Sequence, residues 1–341
     1  MSTKKFIIFM FLTSVITIIG YAQYAPQING YTQIRMETNY KSNPIFYIKR
    51  IKLWLTGKIA GDNNQEFLYK TQVFFSKTTP KPLLLDARLG YKYNNFTLWV
   101  GQQVVDYGRQ TNKGDTKILM GDRARYYYTL TPDAEACLRD VGIQAFYKVE
   151  NNGHISIGYF NGTFSNVYKN PNYSSMITNR FVYDVSLFDK GTITLDYSLM
   201  YRYANNLMFS RSLGTIPFSG KDLRGEFATE LKIWKFDIET AYNYAQFISN
   251  TDTVYKASGY YLLFNTFVTN KDVVVLAIDQ MDLPKFTSIY SSLPYYGIGY
   301  SHLFKGQKVK LTLYNWIHKL GYDNWDYITG VQFQMYIKTK K

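Results

Sequence analysis

A mixed set of ionisable side chains lies between positions 105 and 139 of this 341-residue chain. Arg109, Lys113, Lys117, Arg123, Arg125 and Arg139 stand there beside Asp106, Asp115, Asp122, Asp133 and Glu135, six cations against five carboxylates. Cations gathered at a narrow passage select anions, because charge-assisted hydrogen bonds replace the hydration that the ion gives up. The same residues would also suit a solvated loop whose charges pair with one another, and both readings stay open. A second set, Arg35, Arg50, Lys52, Lys58, Lys70, Arg88 and Lys92, recurs on the polar side of alternating stretches, with Glu37, Glu66 and Asp86 as candidate wall partners.

Catalytic constellations are hard to assemble from the remaining residues. The three histidines, His154, His302 and His318, belong to no metalloprotease, nucleophile-elbow or phosphate-loop motif. His154 beside Ser156 is a conceivable nucleophile and base, yet a polar-face histidine on a strand is more commonly a wall residue. His302 and His318 are too far apart to suggest a metal site. The expectation is no enzyme, no cofactor and no metal. No basic cluster is dense enough for nucleic acid.

The elements that must position these charges are strands. Period-two alternation recurs along nearly the whole chain and period 3.6 is almost absent. Over 50–59 one face is Arg50, Lys52, Trp54, Thr56 and Lys58, and the other is Ile51, Leu53, Leu55, Gly57 and Ile59. Strand-like runs fall at 28–39, 46–59, 65–75, 83–93, 96–104, 140–149, 154–160, 176–186, 192–203, 224–234, 236–248, 257–268, 272–280, 295–303, 308–319 and 326–337, which makes sixteen. Alternate connections are short, such as Asn94-Asn95 and Asp189-Lys190-Gly191, whereas 105–139, 161–175, 204–223 and 281–294 are long. A soluble sandwich has no reason to sort its loops by parity. Strands that cross a bilayer with short turns on one side and long loops on the other do. The expected fold is therefore all-β, a sixteen-stranded antiparallel transmembrane β-barrel, with 105–139 as its third long loop.

Composition agrees. Aromatics reach 18%, from 33 Tyr, 23 Phe and 5 Trp, and a mean hydropathy of −0.24 is too polar for a bundle of membrane helices. Aromatic girdles at two lipid–water interfaces give that surplus a place. The formal charge of +14 points to anionic surroundings or solutes. At the start, Lys4 and Lys5, an apolar run from Phe6 to Ile19 and small residues before Gln23 read as a secretory leader over 1–22, leaving 23–341 as the barrel. A membrane anchor would need about 20 apolar residues. The single cysteine, Cys137, has no partner within the chain.

Short motifs follow one another in order: Gly30-Tyr31-Thr32-Gln33-Ile34-Arg35, then Lys49-Arg50 before an aliphatic run, Leu85-Asp86-Ala87, Trp99-Val100-Gly101-Gln102, Arg139-Asp140-Val141-Gly142 and Tyr159-Phe160-Asn161-Gly162. In this order the chain resembles the phosphate-selective porin O and P family of Gram-negative outer membranes. That resemblance implies a homotrimeric diffusion channel in outer-membrane lipid that favours anions. The family's arginine ladder and lysine-rich constriction do not align residue by residue here, and the third loop is nearly neutral. The expectation is passive passage of small hydrophilic solutes with anion preference, phosphate among them. Arg35, Arg50, Lys52, Lys70, Arg88 and Lys92 would line the pore, and Arg109, Lys113, Asp122, Arg123, Arg125 and Arg139 would form the constriction. The alternative is a barrel serving adhesion or docking to an uptake or secretion complex through its long loops.

Overall fold

The structure, a computed structural model, describes residues 26–39, 42–76, 79–132, 138–150, 152–167, 170, 173–187, 191–214, 217–284, 293–320 and 324–339. The leader expected over 1–22, and Cys137, Asp133 and Glu135, lie outside them.

Sixteen strands form one closed antiparallel barrel. They are β1 Gln27–Asn39, β2 Ile45–Ala60, β3 Gln65–Ser76, β4 Thr79–Tyr93, β5 Phe96–Val104, β6 Arg139–Val149, β7 Gly153–Phe160 and β8 Ser175–Leu187, followed by β9 Gly191–Met208, β10 Pro217–Ile233, β11 Phe236–Ser249, β12 Val254–Phe267, β13 Asp272–Asp282, β14 Tyr295–Gln307, β15 Val309–Leu320 and β16 Asn324–Lys338. The first strand closes on the last, with Gly30 opposite Ile337 and Thr38 opposite Thr329, so no edge is left unpaired. The four connections longer than five residues, 105–138, 161–174, 209–216 and 283–294, all lie on one side, although β3–β4 and β15–β16 on that side are joined by only two and three residues; with an even strand count both ends of the barrel chain fall on the other, short-turn side.

Outward positions are the apolar member of each alternation. Leu89, Val100, Ile157, Leu276 and Ile298 are exposed around the waist, and Tyr147, Tyr159, Tyr201, Tyr242 and Tyr296 are exposed along with them. Inward positions are polar and buried, as with Arg35, Asp86, Asp196, Glu226, Glu239 and Asn243. This division is what a barrel in lipid requires, since a charge on the lipid face near the midplane costs about 2–4 kcal/mol.

Three departures from the sequence reading bear on the lumen. Strands β9 and β10 run on to Met208 and back from Pro217, so the connection expected over 204–223 shrinks to 209–216; Asn205, Asn206 and Ser219 fall in a register shift between the pairs Leu207–Phe218 and Ala204–Gly220. Arg139 is the first residue of β6, opposite Val104, and does not belong to the loop. In β2 an extra residue interrupts the pairing with β1, where Gln33 faces Arg50 but Ile34 faces Ile48. Lys49 is the inserted residue, and the bulge turns it to the same side as Arg50.

The loop between β5 and β6 folds into the barrel. It contains one helical turn, α1 (Arg109–Asn112), and two 3-10 turns, Asp115–Lys117 and Arg125–Tyr128. Val105, Tyr107, Met120, Tyr126 and Leu130 on it are all at most 2% exposed. The solvated outer-loop reading of this segment does not hold.

Candidate functional lumen

The mixed charge of the inward loop has a structural reason. Its cations go to an acidic wall. The Arg109 guanidinium pairs with Glu230 and Lys113 pairs with Glu239. The Arg109 backbone N–H donates to Glu226 at 2.6 Å, and that of Arg125 donates to Asp279 at 2.5 Å. Gly108 makes this approach possible: its φ is +71°, and a Cβ there would sit 2.5 Å from Glu226 Oε2.

The loop's carboxylates go to the basic wall on the other side. Asp115 binds Arg50 at 2.7 Å, Lys52 at 2.6 Å and the Tyr31 hydroxyl, and Arg123 of the loop itself adds a contact at 2.7 Å. Asp122 binds Arg35 at 2.5 Å and Lys49 at 2.8 Å. Burial opposes ionisation of both acids, yet the surrounding cations outweigh it, Lys52, Arg50 and Arg123 for Asp115, and Lys49 and Arg35 for Asp122, and hold both carboxyls well below their ordinary range. From β15, the Lys310 ammonium donates to the carbonyls of Thr116 and Ile118. The loop is thus a zwitterionic strap across the lumen, clamped at both sides.

What the strap leaves uncovered is basic. On the inner wall of β3–β6, Lys70 and Arg88 lie directly opposite each other in the ladder. Like charges so placed repel, and Asp86, two residues along β4 from Arg88, draws one of them away: Lys70 binds it at 2.5 Å and Arg139 at 3.2 Å. Among the described residues Arg88 has no carboxylate within ion-pair distance. Its guanidinium donates only to the neutral amide of Gln103, at 3.3 Å, and lies 4.1 Å above the centre of the Trp99 ring.

A cavity of about 630 Å³ opens between this wall and the strap. Lys52, Lys70, Arg88, Lys113, Arg123 and Arg139 line it, against Asp106 and Asp115. Even with Asp86 and Glu239 added as near counterions, the cations are in excess. A second cavity of about 410 Å³ lies toward the long-loop end, with Arg35, Lys49, Asp122 and Arg125 in its lining. Arg123 borders both.

The residues expected to line the pore separate accordingly. Lys52, Lys70 and Arg88 face the larger cavity and Arg35 the smaller. Arg50 points inward but is covered by Asp115. Lys92 lies at the short-turn rim, paired with Glu66 at 3.2 Å and bordering neither cavity. Of the loop residues, Lys113 and Arg123 border the larger cavity, Asp122, Arg123 and Arg125 the smaller, and Arg109 is held against the acidic wall. Lys49, Lys310 and the wall acids Glu230, Glu239 and Asp279 were missed as parts of the site. Trp54 on the polar face of β2 was a visible sign that rings enter the lumen. The Ser156 hydroxyl donates to Asp106 at 2.5 Å, with His154 Nε2 3.5 Å from that same oxygen, so serine and histidine meet the acid separately and form no relay.

The sequence matches no known family model and no curated relative. Solved structures do match in fold. An in-vitro folded OmpT, an outer membrane protein of Vibrio cholerae in its trimer form, superposes with a TM-score of 0.65 at 11% identity, over 93% of this chain and 100% of that one. The fold is that of outer-membrane porins. An anion-selective porin from Comamonas acidovorans gives a TM-score of 0.64 at 12% identity, over 93% and 100% of the two chains. The outer membrane channel DcaP of Acinetobacter baumannii gives 0.63 at 10%, over 93% and 98%. At such identities the porin likeness concerns the fold, and the chemistry of this lumen has to be read from its own residues.

Proposed function

We propose that the chain is a passive channel of the Gram-negative outer membrane, exported by the leader at 1–22 and assembled as a homotrimer, which admits small hydrophilic solutes and favours anions. The observation that supports the preference is Arg88, a lumen guanidinium that makes no ion pair among the described residues, set across from Lys70 beside the strap. An anion passing there gains charge-assisted hydrogen bonds. A cation meets an excess of like charge. The strap's own ionic groups are neutralised against the walls, so the preference rests on β2–β6 and is modest. Phosphate belongs among the admitted anions, in keeping with the resemblance to the O and P porins. Three-fold assembly is consistent with the trimer form of the Vibrio protein. Reconstitution in a planar bilayer tests the reading: discrete conductance steps are expected, with chloride current reduced by millimolar phosphate. Absence of steps would defeat the channel reading. Steps indifferent to phosphate would defeat phosphate as a bound solute and leave the channel.

A further inference from the structure

The larger cavity is not lined by charge alone. Aromatic rings flank the cation strip on both sides. On one side Trp54 of β2 lies tilted against Tyr336 of β16, centroids 5.7 Å apart, and edge-on to Tyr31 of β1 at 6.2 Å. On the other are Trp99 of β5 and Phe146 of β6, whose strand positions border the same cavity. Between them stand Lys52, Lys70 and Arg88 on β2, β3 and β4. The Trp99 ring is laid on the wall over Gly90, where a Cβ would come within 2.7 Å of it, and Arg88 stacks on that ring.

This arrangement exceeds what an inorganic ion needs. Chloride or phosphate gains nothing from an indole or phenyl face, and lumen rings narrow a water path without helping it. A guanidinium stacked on a ring keeps its in-plane N–H groups for a carboxylate, because stacking uses only its face. In Arg88 only Nη1 makes a hydrogen bond among the described residues, to Gln103, so Nη2 has donor capacity left for an anionic group. A solute whose charged head reaches the strip would lay its body on a neighbouring ring. About 630 Å³ lies within the usual pocket range.

We infer that the preferred solutes of this channel are carboxylates with a flat ring body, held head-on by Lys70 and Arg88 and face-on by Trp54. The inference rests on the proposed anion preference and deepens it from charge to substrate class.

The test is block of single-channel chloride current by benzoate, acetate and inorganic phosphate in parallel, on the wild-type protein and on the Trp54→Leu variant. Benzoate is expected to block at least tenfold more strongly than acetate. Stacking on one aromatic side chain is worth about 1–3 kcal/mol, so Trp54→Leu should weaken benzoate block by about tenfold while acetate and phosphate stay within twofold. Trp54 supports no cation, so its variant separates loss of the ring from any disturbance of Arg88. Equal block by benzoate and acetate, or benzoate block unaffected in Trp54→Leu, overturns the inference and leaves the anion preference standing. A wild-type channel that prefers potassium to chloride would instead bring down the reading beneath it.

Discussion

Arg88→Gln is the sharpest perturbation of the proposed selectivity, and the structure supplies its expected size. Arg88 can be neutralised without stranding a buried acid, because its hydrogen-bond partner is the amide of Gln103; removal of Lys70 or Arg139 would instead deprive the fully buried Asp86 of a counterion. Folding should therefore be preserved. A monovalent ion passing about 5 Å from the guanidinium in a water-filled lumen interacts with it by about 0.8 kcal/mol at the dielectric of water. Screening over a Debye length of about 10 Å at 0.1 M salt reduces this to about 0.5 kcal/mol. Loss of the charge then lowers the anion's occupancy about twofold and raises the cation's about twofold, so the chloride-to-potassium permeability ratio should fall about fivefold. Reversal potential in a KCl gradient reads that ratio directly. An unchanged ratio, with unit conductance intact, would mean that ions do not pass Arg88 and would refute the reasoning.

The strap makes further predictions. Asp115→Asn should increase open-channel current noise, since Arg50, Lys52 and Arg123 then share a neutral partner. In the wild type the depressed acid contributes stability above its unfolded value of about 4, lost only as pH falls through the still lower folded value; the excess noise of Asp115→Asn over the wild type should therefore persist from pH 7 to 4, and its disappearance within that window would contradict it. Lys310→Met removes two bonds from an ammonium to strap carbonyls, worth about 3 kcal/mol together, and tryptic cleavage at the exposed Lys117 should accelerate about a hundredfold. Gly90→Val drives the Trp99 ring off the wall, so unit conductance should drop while heat-modifiable migration on a denaturing gel persists.

The barrel was legible because period two and loop parity are local properties of the chain. Sixteen runs and their faces survive almost unaltered, from Arg50 to Ile59 through Tyr327 to Ile337. What was not legible depends on partners remote in sequence. Lys49 reads as lipid-facing under strict alternation, and only the pairing of Gln33 with Arg50 and Ile34 with Ile48 reveals the bulge that turns it inward. The strap's near-neutral composition gave no hint of its sorting, because Arg109 and Lys113 meet Glu230 and Glu239 more than a hundred residues away. Arg139, grouped with the loop by proximity, belongs by geometry to the Asp86 cluster on the wall. Charge balance of the loop alone was thus a poor guide to selectivity, which depends on the wall that the loop leaves bare.

The most direct measurement of that central claim is the reversal potential of the wild-type channel in a tenfold KCl gradient across a planar bilayer. The account predicts a sign that shows chloride to be more permeant than potassium. A potential of the opposite sign would contradict it, because the lumen would then be governed by the acidic wall of β9–β13 that the strap is held to neutralise.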